Sequence, residues 1–371
     1  MNPTTTESVY RNRIERVRVE MNRTGVDALI LSLGHDLPYL TGYHAMPLER
    51  LTLLVIPRVG QVSLIIPRLE APRVHEYPSV FTLVPWNETE DPVLIAHRLL
   101  ADAQTIAVGD QMWSRFLVDL LVHRADNRFV RSVVVMEALR SRKDHAEIAA
   151  LRAAGAAADR VAAQLHAGEI PLVGRTEAEV SADISARLIA EGHQKVNFAI
   201  VAAGENAASP HHHAGDRVIQ FGEIVLCDFG GTMNGYCSDI TRCVHLGEPP
   251  ADIADAYAVL MEAQAAGVAA GVIGSTCENV DTVTRAIIDH AGYGEYFVHR
   301  TGHGIGMEEH EDPYMVAGNT TPIASGHAYS VEPGIYVPGK WGMRLEDIVI
   351  ATENGPISVN HAHHGLVVLD R

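Results

Sequence analysis

The sequence predicts an α/β (α+β) protein of two domains, a small α/β domain over residues 1–140 and a larger domain over residues 141–371. Helical and strand patterns alternate along the first 135 residues, an order of elements typical of a mixed α/β domain. A charged run then ends at Asp144, where a long helix is predicted to begin. The chain of 371 residues is long enough for two domains of ordinary size.

The first domain begins with a helix followed by a buried strand. Ile14, Val17 and Met21 share one helical face, and residues 28–33 form an apolar run of strand length. Later patterns predict a hairpin over 51–56 and 61–66, a helix over 92–103, a strand over 105–108 and a helix over 114–123.

The second domain is predicted to contain two similar α/β halves that face one another across a site. Asp144 with Glu147, and Thr176 with Glu179, have the spacing of capping boxes and mark two helix starts. Six residues of the first half recur 100 positions later, which indicates a repeat. They are Gly174, Thr176, Val180, Ala186, Gly192 and Gly204, matched by Gly274, Thr276, Val280, Ala286, Gly292 and Gly304.

The charge and composition exclude several classes of partner. The formal net charge of −17, from 46 acidic and 29 basic residues, argues against nucleic acid or an anionic membrane. No apolar run approaches the roughly 18 residues of a membrane span, and the first residues have no apolar signal core. The four cysteines form no CxxC pair, so we expect reduced, buried thiols in a cytoplasmic protein.

An Asn-Gly turn at residues 234–235 predicts a hairpin over residues 224–245, which we call the aspartate hairpin. Its register places Asp239 opposite Gly230. Because side chains alternate between the faces of a strand, Asp228 and Asp239 project from one face, about 7–8 Å apart at the backbone. Two such carboxylates are costly to bury unless a cation lies between them.

A second hairpin over residues 330–347, the glutamate hairpin, repeats this arrangement. With Gly339 at the centre of the turn, Glu332 lies opposite Glu346 on one face. A glycine-rich segment before this hairpin contributes His303. Each of these four carboxylates and His303, taken alone, is also compatible with a solvent-exposed turn or with a hydrogen-bonded position in the core. Their joint occurrence favours a metal centre.

Four carboxylates and one imidazole are mostly oxygen donors, which suit hard or borderline divalent ions such as Mn²⁺, Co²⁺ or Zn²⁺. Four negative ligands also balance the charge of two divalent ions. A pair of ions can share a water and lower its pKa, which provides a hydroxide nucleophile near neutral pH. We therefore predict two divalent ions per subunit, with Mn²⁺ expected and Co²⁺ or Zn²⁺ as alternatives.

These motifs resemble the pita-bread metallopeptidases, which include Xaa-Pro dipeptidase (prolidase), aminopeptidase P and methionine aminopeptidase. The resemblance covers essentially the whole chain and implies a pita-bread catalytic domain with a pseudo-twofold repeat. It implies that Asp228 binds one metal, that Asp239 and Glu346 bridge both metals, and that His303 and Glu332 bind the other. The separations of 11 residues between the aspartates and 14 between the glutamates fit the prolidase-like pattern.

The resemblance also implies roles outside the metal ligands. His211 matches a histidine that reaches the substrate, although the run of three histidines leaves its register dependent on spacing alone. His310 matches the histidine that supports the tetrahedral intermediate, and Arg344 matches an arginine that holds the substrate or the site. Thr241 matches a residue beside the bridging aspartate. Glu332 is a candidate general base that passes a proton to the leaving nitrogen.

The first domain resembles the creatinase/prolidase N-terminal domain through residues 39–42 and 49–50. Methionine aminopeptidases lack this domain, and in the relatives that have it the domain helps to form a homodimer. The expected activity is hydrolysis of the Xaa-Pro bond of dipeptides or of the N-terminus of short peptides, through a metal-bridging hydroxide. The alternatives are a hydrolase of a non-peptide amide on the same dinuclear site, and a non-catalytic binding protein of this fold.

Overall fold

The structure is a computed structural model that describes residues 3–370. The chain divides into two compact units, with the boundary between Arg140 and Ser141. We number the helices and strands in chain order. The helices of the first unit are α1 (Pro3–Thr24), α2 (Asp36–Thr41), α3 (Pro92–Leu99), α4 (Ser114–His123) and α5 (Val133–Arg140). Its strands are β1 (Ala28–Leu31), β2 (Leu53–Pro57), β3 (Ser63–Pro67), β4 (Thr82–Trp86), β5 (Thr105–Val108) and β6 (Arg128–Arg131).

The first unit is a six-stranded mixed sheet with strand order β4-β3-β2-β1-β5-β6. Strands β2 and β3 form the predicted hairpin, while β5 lies parallel to β1. All four residues of β1 are buried. Ala28 and Ile30 share one face of the strand, where they pack in an apolar cluster with α3 and α4. The helix predicted over 92–103 ends earlier than predicted, since Ala101 has a positive φ of 41° that a helix does not accept.

The helices of the second unit are α6 (His145–His166), α7 (Glu177–Ala190), α8 (Ala251–Ala270) and α9 (Cys277–His290). Its first sheet has strand order β18-β10-β8-β7, with β9 paired to β8, and its second has order β12-β11-β13-β16-β17, with β14 and β15 as a separate pair. These strands are β7 (Lys195–Ala203), β8 (Ile224–Met233), β9 (Tyr236–Cys237), β10 (Ile240–Leu246), β11 (Gly302–Gly304), β12 (Glu311–Met315), β13 (Ala328–Val331), β14 (Gly334–Val337), β15 (Trp341–Arg344), β16 (Asp347–Thr352), β17 (Gly355–Ser358) and β18 (Val367–Leu369).

The predicted repeat is visible in matching backbone hydrogen bonds. The amide of Gly174 donates to Ile219, and that of Gly274, 100 residues later, donates to Ile323. Thr176 caps α7 and Thr276 caps α9 in the same way, since each hydroxyl oxygen accepts a hydrogen bond from the backbone amide three residues later. Each half therefore starts its second helix in the same way, and both halves form an α/β layer.

One predicted pair of the repeat is not equivalent. Gly204 begins a short 3₁₀ turn over Gly204–Ala208, whereas Gly304 lies in β11. The two halves therefore diverge after the second helix, at the point where each supplies its own loop to the site.

Candidate active site

The aspartate hairpin brings its two acidic side chains to one cavity. Asn234 and Gly235 have φ values of 52° and 82°, as a tight Asn-Gly hairpin turn requires. Strand β8 pairs with β9 and β10 in one continuous register that places Thr241 opposite Asp228. The same register leaves Asp239 facing Gly230, as predicted, and both aspartates line the cavity.

The glutamate hairpin has the predicted register as well. Strands β13 and β16 pair on one side of the two glutamates, and β14 and β15 pair on the other side with the same register. Glu332 and Glu346 therefore face each other. His303 lies on β11, where its Nδ1 is 3.1 Å from the carbonyl oxygen of Gly304. This contact leaves Nε2 directed at the carboxylates.

Three of the five predicted ligands converge closely. One ligand atom each of Asp239, His303 and Glu346 lies within 4.8 Å of the other two. Glu332 adjoins this trio, with Oε1 3.1 Å from Nε2 of His303. Asp228 lies outside the trio and accepts a hydrogen bond of 2.5 Å from Arg344. These five residues come from three separate parts of the chain, namely the aspartate hairpin, β11 and the glutamate hairpin.

The carboxylates have the unsatisfied oxygens that a cation would complete. Among the described residues, Oδ1 of Asp228 and Oδ1 of Asp239 are buried without a hydrogen-bond partner. An unpartnered buried acceptor is costly, because it has lost water and gained nothing in return. These oxygens and the oxygen-rich donor set fit a divalent metal ion.

The pKa values of the acidic side chains also indicate that the cluster lacks positive charge to balance its carboxylates. Burial and then the neighbouring Glu346 raise the pKa of Asp239 well above its usual range. Burial and then Glu332 likewise raise the pKa of Glu346, and burial raises that of Asp228 against the opposing charge of Arg344. Of the four carboxylates only Glu332 has a lowered pKa: burial raises it, but the hydrogen bond to His303 and the charges of His303, His299 and Arg344 together outweigh the burial. The cluster therefore holds fewer negative charges without a cation than with one.

Arg344 and Thr241 connect the two hairpins. The guanidinium of Arg344 donates to Oδ2 of Asp228, to Oγ1 of Thr241 at 3.0 Å and to the hydroxyl of Tyr336 at 2.7 Å. The Thr241 hydroxyl in turn donates to Oε2 of Glu346 at 2.7 Å. These contacts hold Asp228 and Glu346 in position from behind.

The two predicted substrate histidines lie in the same cavity. His310 packs edge-on against His303, with ring centroids 4.1 Å apart. Burial, and then the charge of His303, lower the pKa of His310 to about 4. His211 is exposed within the loop that follows the 3₁₀ turn, and it lines the cavity beside His212 and His213.

The cavity has a volume of about 920 Å³ and includes residues that the sequence analysis missed. His299 lies four positions before His303 and is 2.9 Å from the Tyr336 hydroxyl through Nε2. Arg300 stacks over the Tyr314 ring at 4.4 Å. The His-Arg-Thr-Gly-His run over 299–303 was the signal that could have indicated both. The other missed lining residues are Ser181, Asn197, Phe198, Ala199, Ile200, Ala214 and Glu309.

Comparison with known proteins identifies the family. Residues 149–353 match the family model described as Metallopeptidase family M24, and residues 13–142 match the Creatinase/Prolidase N-terminal domain. The chain belongs to metallopeptidase family M24. Members of this family use divalent metal ions, and the cluster of Asp239, His303 and Glu346 is a suitable place for them.

Individual relatives match over nearly the full chain. The probable dipeptidase PepE of Mycobacterium tuberculosis is 43% identical over 369 residues, which cover 97% of each chain. The crystal structure of dipeptidase PepE from Mycobacterium ulcerans is 43% identical, with a TM-score of 0.92 and 98% coverage of both chains. The prolidase from Thermococcus sibiricus is 33% identical, with a TM-score of 0.91 and coverage of 97% of this chain and 99% of that one.

The predicted pita-bread fold is confirmed by these relatives. In the part of the chain that the structure describes, no helix has both the length and the apolar character needed to cross a bilayer.

Proposed function

We propose that this M24 metallopeptidase hydrolyses the bond before proline, in dipeptides or at the N-terminus of short peptides. The observation that supports this most directly is the buried convergence of Asp239, His303 and Glu346 in a cavity that also contains the other two predicted ligands, Asp228 and Glu332. The similarity to the prolidase of Thermococcus sibiricus supports proline after the scissile bond.

The proposed metal centre contains two divalent ions, with Mn²⁺ as the expected metal. Asp228, Asp239, His303, Glu332 and Glu346 would hold the ions, and the unpartnered oxygens of the two aspartates support this assignment. When bound, such ions activate a water molecule and polarise the scissile carbonyl. Four carboxylates balance two divalent charges, and carboxylate oxygens suit Mn²⁺.

The protein's own side chains would orient these ligands and the substrate. The guanidinium of Arg344 donates to Thr241, Tyr336 and Asp228, which favours a role in holding the site over one in binding substrate. Thr241 fixes the carboxylate of Glu346. The lowered pKa of His310 keeps its imidazole neutral near pH 7, so that its ring N–H can donate to the developing oxyanion. Glu332 is the proposed carrier of the proton to the leaving nitrogen, and His211 the proposed substrate contact.

We also propose a homodimer in the cytoplasm, with residues 1–140 as the creatinase/prolidase-type domain and residues 141–371 as the catalytic domain. The match of residues 13–142 to that domain type supports the domain assignment. All four cysteines are buried thiols, which supports a reducing compartment.

The test is hydrolysis of Ala-Pro, Ala-Ala and Ala-Pro-Pro by metal-stripped protein before and after addition of Mn²⁺. Cleavage of Ala-Pro alone, dependent on Mn²⁺, would identify a dipeptidase. Cleavage of Ala-Pro-Pro would identify an Xaa-Pro aminopeptidase. If metal binds and none of the three peptides is cleaved, the proposal of an Xaa-Pro substrate is wrong.

A further inference from the structure

A buried glutamate anchors the loop that contains the three consecutive histidines. Glu177, the first residue of α7, has a fully buried side chain. Its Oε1 accepts the backbone N–H of Ala203 at 2.9 Å, and its two oxygens each accept Nδ2 of Asn206 at 3.1 Å. Its Oε2 also accepts Nε2–H of His212 at 2.7 Å, and the Gly215 amide is 3.5 Å away. A buried carboxylate is tolerated only with such a full set of donors.

This contact distinguishes the three histidines. Nε2 of His212 is committed to Glu177, whereas His211 and His213 are exposed. On the other side of His211, the carbonyl oxygen of Pro210 accepts a hydrogen bond from Nη1 of Arg344 at 3.4 Å. His211 is therefore held between two anchored neighbours while its own side chain faces the cavity.

The internal repeat indicates that the carboxylate is not needed to start the helix. Cys277 occupies the equivalent position in α9, after the equivalent capping threonine. Its side chain packs in an apolar cluster that includes Val280 and Met315. Both amides at these positions donate to the facing loop, Glu177 to Arg217 and Cys277 to Thr321. The same local backbone thus forms with an apolar side chain, so the buried charge in the first half has another use.

We propose that Glu177 and His212 are positioning residues, which together fix the loop so that His211 meets the substrate. The hydrogen bond from His212 excludes that residue from contacting substrate, and the contacts of His212 and Pro210 on its two sides hold His211 facing the cavity. The role assigned to His211 rests on the function proposed above, but the anchoring of the loop does not.

The test compares two substitutions of His212 on hydrolysis of Ala-Pro by the full-length, Mn²⁺-loaded protein. His212→Phe keeps the ring shape and removes the donor, so we expect kcat/KM to fall on the order of tenfold to a hundredfold, mainly through KM. His212→Gln retains an N–H donor near the position of Nε2 and should recover most of the loss. Bound Mn²⁺, measured by elemental analysis, should be the same in both variants.

A double-mutant cycle with His211→Asn separates positioning from general damage. If His212 acts through His211, His212→Phe should change kcat/KM less than about twofold in the His211→Asn background. A multiplicative loss in the double variant, or no rescue by His212→Gln, would overturn the proposal. Glu179→Gln is the control for the partner side, because this exposed carboxylate lies in the same first turn of α7 and caps the helix. It should leave kcat/KM unchanged, whereas Glu177→Leu should reproduce the His212→Phe phenotype.

Amide hydrogen exchange tests the anchor without any substrate. In His212→Phe, peptides that cover residues 203–216 should exchange about tenfold faster than in the wild type, with His212→Gln close to wild type. If the wild type cleaves no Xaa-Pro peptide, the proposed function fails and the positioning is judged by exchange alone. Unchanged exchange in His212→Phe would overturn the positioning whatever the substrate is.

Discussion

Asp239→Asn should change the stability of the protein in opposite directions with and without metal. Without metal, Asp239 is buried near Glu346 and Glu332, and these neighbours add to the burial that raises its pKa. Its Oδ1 has no partner among the described residues, so the amide loses no protein hydrogen bond at that atom. Removing this charge relieves repulsion in the metal-free protein and removes a ligand from the metal-loaded protein.

The separation of the ligand atoms sets the size of the effect. Atoms of Asp239 and Glu346 lie within 4.8 Å, at which two full charges repel by about 3 kcal/mol at an effective dielectric constant of about 20. Because the nearby charge of Arg344 offsets part of this repulsion, we expect a gain of about 1–2 kcal/mol. A gain of about 1–2 kcal/mol raises Tm by roughly 2–8 °C for a unit as long as residues 141–371.

The metal-loaded protein should respond in the other direction. A ligand present at a thousand times its Kd stabilises the folded state by about 4 kcal/mol, and a hundredfold weaker Kd removes about 2.7 kcal/mol of this. Because the gain of about 1–2 kcal/mol in the metal-free protein offsets part of this loss, Asp239→Asn should lower Tm in excess Mn²⁺ by roughly 1–7 °C relative to the wild type.

The assay is thermal unfolding in EDTA and in excess Mn²⁺, read from the transition that responds to metal. Asp255→Asn is the matched control, since it makes the same change at an exposed position of α8 and should shift neither Tm. If Asp239→Asn shifts Tm equally in EDTA and Mn²⁺, Asp239 is not a metal ligand. If Tm falls in EDTA, the carboxylate is not under electrostatic strain and the reasoning from repulsion is wrong.

Three further predictions concern the scaffold around the site. Burial, and then Lys143 and Arg142, lower the pKa of His327 to about 4. Because an unfolded histidine titrates near 6.5, the unfolded state binds the proton first, so stability is complete above about pH 6.5 and falls by up to about 3 kcal/mol towards pH 4. Urea unfolding across this range should show a flatter profile in His327→Gln but not in the exposed His290→Gln. Asp347→Ala leaves the fully buried Arg242 without its ion-pair partner and should cost about 3–5 kcal/mol in urea unfolding; a cost below about 1 kcal/mol would contradict the burial argument. Gly230→Ala places a Cβ 2.1 Å from the carbonyl oxygen of Ser238 and should abolish Mn²⁺ binding by calorimetry. Gly215→Ala, whose Cβ meets nothing closer than 3.9 Å, is its control, and equal Mn²⁺ affinity in both variants would contradict the prediction.

The hairpins could be predicted from the sequence because their register depends on local features. The turns at 234–235 and at Gly339 fix which residues face each other, and side-chain alternation then places the acidic pairs. The capping boxes at Asp144 and Thr176 are equally local, and both are present in the structure.

The convergence of the site was beyond such reasoning, because no spacing rule relates one hairpin to the other. The isolated bridge between Thr241 and Glu346 brings the hairpins together across 105 residues of chain. The missed cavity residues His299 and Arg300 lie in an irregular segment, where no periodicity indicates which way a side chain points. The roles of the individual ligands remain predictions.

The link between the hairpins is a layered set of contacts behind the carboxylates. Thr241 binds Glu346 through both its hydroxyl and its carbonyl oxygen, and it also accepts from Arg344. One residue further along the strand, Arg242 donates to the carbonyl oxygen of Glu346 at 2.6 Å and to Asp347 at 2.7 Å. Each hairpin places its own acidic pair by local register, but the distance between the pairs depends on these buried contacts. A centre that must bring several carboxylates within a few ångströms therefore needs a rigid polar support behind it, and the fully buried Arg242 supplies one in this fold.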